Sequence, residues 1–160
     1  VAFVAKPSRN LWVEMDWNVD AHDVDLHLLR GANPEAYTTD QDCYYANCVS
    51  GTPGQAVLAW GGRAAGDDPI LDVDDIDGLG PEVISIAVPE ASQKYLVAVH
   101  LFRKDFGPSG EVRVRILIDG EVVFSAARDL LDSDDWWEVA EIDWASTEVT
   151  SVDRYLDNPP

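Results

Sequence analysis

Hydrophobic residues return at every second position along much of this chain. Leu11, Val13, Met15 and Trp17 alternate with Trp12, Glu14 and Asp16, the pattern of a strand with one buried face. Over 23–28 the alternation sets Val24, Leu26 and Leu28 against Asp23, Asp25 and His27, so two carboxylates and an imidazole share the opposite side. Further strands are predicted over 82–88, 95–102 and 111–118, the last with Val112, Val114, Ile116 and Ile118 inward. Asp119-Gly120 fits a type I′ hairpin turn, where both central residues need positive φ, and 121–127 is the returning strand. A final strand runs over 136–144. Both its faces are partly apolar, which predicts a bulge or burial on two sides.

Between Arg30 and Pro81 the period dissolves into Gly, Pro, Asn and Asp, the composition of one long acidic loop region on a sheet scaffold. About eight short strands with turns between them, and no long amphipathic helix, predict an all-β fold. The architecture expected is an antiparallel β-sandwich, jelly-roll-like or immunoglobulin-like. The expected domain spans 1–145. Residues 146–160, ending Asn158-Pro159-Pro160, read as a linker or weakly docked extension.

Charge narrows the partners. Eleven Lys plus Arg stand against 30 Asp plus Glu, a formal net charge of −19, while 46% of residues are hydrophobic. So negative a surface repels phosphate backbones and anionic headgroups, which excludes nucleic acid and membrane as natural partners and leaves a hard cation. No stretch approaches the ~18 apolar residues of a membrane span. The N-terminal run Val1-Ala2-Phe3-Val4-Ala5-Lys6-Pro7 lacks signal-peptide organisation, so the chain is read as a piece of a larger exported protein. Cys43 and Cys48 are the two cysteines; their spacing suggests a disulfide and an oxidising compartment, against the alternative of two unlinked thiols.

The densest chemistry lies in Leu71-Asp72-Val73-Asp74-Asp75-Ile76-Asp77-Gly78-Leu79-Gly80-Pro81-Glu82, with five carboxylates in eleven positions and two glycines. Calcium takes six to eight oxygens in irregular geometry, which a bent acidic loop can supply. The loop is no EF-hand, because with Gly78 at the invariant glycine position Val73 and Ile84 would fall on the first and last ligand positions. Asp23 and Asp25 are the best additional donors. The expected Ca²⁺ ligands are therefore Asp23, Asp25, Asp72, Asp74, Asp75, Asp77 and Glu82; the competing reading is that these acids only solvate a loop.

His27 and His100 both fall in strands and offer half of a zinc or copper site with no third ligand placed by any motif. Trp12, Trp17, Trp137 and Trp144 belong to strand patterns, whereas Trp60 beside Gly61-Gly62 and Trp136 beside Asp134-Asp135 are candidate exposed platforms for a sugar or peptide. Nucleophile-elbow, metalloprotease, Walker and dinucleotide motifs are lacking, so no enzymatic activity is expected.

Taken in order, Asp23-Val24-Asp25-Leu26-His27, Cys43-Tyr44-Tyr45, Leu71-Asp72-Val73-Asp74, Gly78-Leu79-Gly80-Pro81-Glu82 and Tyr95-Leu96-Val97-Ala98-Val99-His100 resemble a family of bacterial extracellular β-sandwich domains carried on large surface and secreted proteins. These are distantly similar to the pre-peptidase C-terminal domains of secreted proteases. The resemblance covers roughly 11–144. It implies a secreted or cell-surface accessory or adhesion module with a jelly-roll-like sandwich, holding calcium and lacking activity of its own. Asp23, Asp25, Asp72, Asp74 and Glu82 match the family's acidic pattern, while Asp75 and Asp77 rest on local chemistry alone. A glycan- or peptide-binding domain is the alternative function, and a metal-dependent hydrolase the third.

Overall fold

The computed structural model describes residues 10–20, 22–49, 58–62, 66–76, 78–104, 108–130 and 132–157. Within them the period-two segments form strands, named in chain order: β1 (Leu11–Trp17), β2 (Asp23–Arg30), β3 (Asp42–Cys43), β4 (Pro69–Val73), β5 (Glu82–Ile86), β6 (Lys94–Arg103), β7 (Gly110–Ile118), β8 (Glu121–Leu130), β9 (Trp136–Asp143) and β10 (Glu148–Leu156). A 3-10 turn at Pro34–Ala36 is the helical element of the described residues. The strands make two antiparallel five-stranded sheets, ordered β4-β5-β1-β7-β8 and β10-β9-β6-β2-β3, which face each other as a sandwich.

Alternation decides which side chains meet between the sheets. Leu11, Val13, Met15 and Trp17 of β1, Val24, Leu26 and Leu28 of β2, Val112, Val114 and Ile116 of β7, and Trp137 of β9 are all buried in one core. The Asp119-Gly120 turn has φ of 49° and 80° as expected. Strand β9 is buried on both faces and carries an extra residue opposite Val97/Ala98 of β6. The second burial comes from a smaller cluster on the outer face of the second sheet, where Tyr37 and Ala36 cover Leu29, Leu96, Ala98 and Trp136.

Two expectations are corrected. The long loop region contains β3 and β4, pinned by the disulfide between Cys43 and Cys48. Residues 148–156 are not a tail: they pair along β9 as an edge strand, with a bulge between Ser151 and Arg154 where Asp153 adopts φ 46°. Ten strands result rather than about eight.

Candidate metal centre

Strand parity delivers the acids. Glu82 shares its face of β5 with Ile84 and Ile86, opposite Met15, Val13 and Leu11 of β1, so its carboxyl points between the sheets and is 1% exposed. There Oε2 accepts the Leu26 backbone N–H at 2.7 Å. That N–H belongs to the half of β2 beyond the short β3, which pairs only with Leu28 and Leu29. Glu82 thus ties β5 of one sheet to β2 of the other. Nearby, the Leu71 N–H donates to Cys48 O at 2.8 Å.

Glu82 Oε1 receives no N–H or O–H from the described residues. The Glu82 and Asp74 carboxyls lie close enough to share a proton. Burial first, then the Asp25 and Asp74 charges, hold the Glu82 pKa well above its ordinary value, against the Leu26 bond. Asp74 is raised by burial and by Asp25 and Asp75. Asp23 is raised by burial, then by Asp25 and Asp74, while Arg103 and His100 oppose the rise. Arg103 Nη1 lies 3.9 Å from Asp23 Oδ2. Four carboxylates from distant parts of the chain, Asp23, Asp25, Asp74 and Glu82, therefore act on one another at the margin of the sandwich.

The other expected ligands go elsewhere. Asp72 sits in a bulge of β4 and accepts the hydroxyl of Ser85, which alternates with core Ile84 and Ile86 and so faces outward. Asp75 accepts the N–H groups of Gly78 and Gly80, each at 3.0 Å, making it the organiser of the turn. Gly80 needs its φ of 82°, and a Cβ there would stand 3.0 Å from Trp17. Asp77 lies outside the described residues. Trp60 is no platform: it is 1% exposed, stacks on Tyr95 and donates Nε1–H to Asp40 O at 2.8 Å. Trp136, 2% exposed, is likewise buried, but its ring stacks on His100 and walls a pocket.

That pocket, about 210 Å³, lies over β2 and β6 and is lined by Tyr44, Tyr45, Phe102 and Trp136 with His27 and His100. A neighbouring cavity of similar size is lined by Asp23, Asp25 and Ile76 and shares Tyr45 and Phe102 with the first. Asp25 lies directly opposite His100 in the β2–β6 register, and His27 is two residues along on the same face. The register thus sets a candidate third donor beside the two histidines: one ligand atom each of Asp25, His27 and His100 lies within 4.8 Å of the others. Asp42, a residue the sequence did not single out, accepts His27 Nδ1–H at 2.8 Å and the Thr38 N–H at 2.9 Å while wholly buried. Only an Asp from a loop segment 15 residues away makes this bond, so no local spacing announces it.

Among the described residues no helix is long and apolar enough to cross a membrane. Compared with protein-family models, curated proteins and solved structures, the chain matches none.

Proposed function

We propose that this domain is a calcium-binding, non-catalytic accessory module of an exported protein, in which the ion clamps the β4–β5 loop onto the edge of β2. The observation that carries the reading is the Glu82 carboxyl, buried between the two sheets beside Asp74 with one oxygen held by Leu26 and the other without a partner among the described residues. Burying carboxylates beside one another is costly unless protons or a cation intervene. Asp23, Asp25, Asp74 and Glu82 carry two oxygens each, of which one is taken by Leu26, leaving enough for the six to eight that calcium prefers. All-oxygen, flexible ligation from two strands and a loop suits calcium better than magnesium, which demands near-ideal octahedral placement. Export is supported by the Cys43–Cys48 disulfide, and calcium outside cells is abundant enough to fill sites with dissociation constants of about 10⁻⁴–10⁻³ M.

Titration calorimetry of chelator-treated protein tests the proposal. Calcium is expected to bind with a stoichiometry of about one and to protect the 66–81 segment from limited proteolysis, with magnesium markedly weaker. Absence of heat at millimolar calcium, with cleavage unchanged by chelator, would discard the clamp.

A further inference from the structure

We infer that Asp25, His27 and His100 form a second metal site, selective for a borderline-soft divalent ion of the zinc type, on the outer face of the second sheet. It shares Asp25 with the calcium reading but stands on different donors.

His27 is already prepared as a ligand. Asp42 is a carboxylate that also accepts the Thr38 N–H, so it takes the His27 Nδ1–H and leaves the lone pair on Nε2. A carboxylate behind a histidine in this way fixes the tautomer and raises the basicity of the distal nitrogen, as around protein-bound zinc. His27 is 2% exposed, and its Nε2 has no hydrogen-bond partner among the described residues. The same is true of Asp25 Oδ2, in a residue 4% exposed, and of His100 Nε2. Nearby carboxylates stop short of His100: Asp25 Oδ2 is 3.6 Å from Nδ1 and Asp134 Oδ1 is 3.7 Å from Nε2.

Aromatic packing explains why both rings are buried. His27 stacks on Tyr44 with ring centroids 5.2 Å apart, and His100 on Trp136 at 4.5 Å. It does not explain why three side chains that each carry a polar atom without a partner bring one ligand atom apiece to within 4.8 Å of one another. A single cation would engage one atom of each. Two imidazoles and one carboxylate are the donors of zinc and related transition ions, whereas calcium wants oxygen. Ligand atoms on a tetrahedral zinc stand about 3.4 Å apart, given bonds of about 2.0–2.1 Å. From the present 4.8 Å limit, closure needs side-chain movements of about 1 Å. The fourth coordination position then opens to the pocket walled by Tyr44, Tyr45 and Phe102.

The experiment is zinc titration of the whole chain with calcium at saturation, followed by calorimetry and by nitrogen-15 spectra of the histidine side chains. Zinc should move the His27 and His100 ring nitrogens and leave His22 in place. His100→Gln should weaken zinc by at least about 100-fold, and Asp42→Asn by about 10–100-fold, the usual effect of removing the carboxylate behind a ligand histidine. Both variants should keep their calcium response, which also shows that they fold. Glu82→Gln should do the reverse, losing calcium and keeping zinc, so the two readings fail separately. Zinc heat unchanged in His100→Gln, or histidine resonances unmoved by zinc in the unaltered chain, overturns the inference.

Discussion

Glu82→Gln separates a carboxylate needed for the fold from one needed for an ion. The amide keeps an oxygen for the Leu26 N–H, now 2.7 Å from Oε2, and turns the other end into a donor toward Asp74. Two carboxylates about 4 Å apart repel by about 4 kcal/mol at an effective dielectric of 20. The pair escapes part of this by taking up a proton, so the penalty in ion-free protein at neutral pH is on the order of 1–3 kcal/mol. Removing it should stabilise the ion-free variant. At 2–4 °C per kcal/mol for a chain of this size, a relief of about 2 kcal/mol raises Tm by roughly 4–8 °C. Calcium at about 100 times its Kd adds about 2.7 kcal/mol to the unaltered protein by mass action and next to nothing to the variant. Melting curves by circular dichroism, in chelator and in calcium, read both effects. A variant that melts below the unaltered protein in chelator, or that responds equally to calcium, refutes the account of Glu82 as a strained ligand.

Three further outcomes follow from the same geometry. Because Asp23, Asp74 and Glu82 all have raised pKa values, the folded state holds more protons than the unfolded one above the ordinary carboxyl range; ion-free stability then falls as pH rises through the raised values, and the calcium-induced Tm gain should be larger at neutral pH than at about pH 5, as fluorimetry with calcium and chelator across pH would show. Replacing Cys43 and Cys48 together by Ala opens a ring with a sequence separation of 5 and should cost about 2 kcal/mol by denaturant unfolding. Gly80→Ala forces a Cβ to within 3.2 Å of Met15 O at φ 82°, and should cost about 1–2 kcal/mol while weakening calcium binding measured by calorimetry, since the turn carries Asp74.

Parity made much of this legible. Reading Glu82-x-Ile84-x-Ile86 as a strand already aims Glu82 at the core, and Asp23-x-Asp25-x-His27 already puts the three polar groups on one face. Where parity breaks, sequence reasoning fails. The bulge at Asp153 interrupts β10, so 148–156 lacks the unbroken alternation of a strand. In sequence, a carboxylate that bonds the N–H groups of its own turn, as Asp75 does, looks the same as one that binds a metal. The glycines beside Trp60 suggest exposure, yet the indole is buried and stacked on Tyr95. For His27 and His100 the sequence places no third ligand, whereas the β2–β6 register sets Asp25 beside them.

Because β3 is only two residues long, the first half of β2 has no strand neighbour on that flank among the described residues, and unpaired strand backbone is where a second chain can add β-structure. Glu82 occupies that backbone with a side chain instead of a strand. A strand pairing there would first have to displace a buried acid from Leu26, so the residue proposed to invite a cation also stands in the way of edge-to-edge pairing at this point.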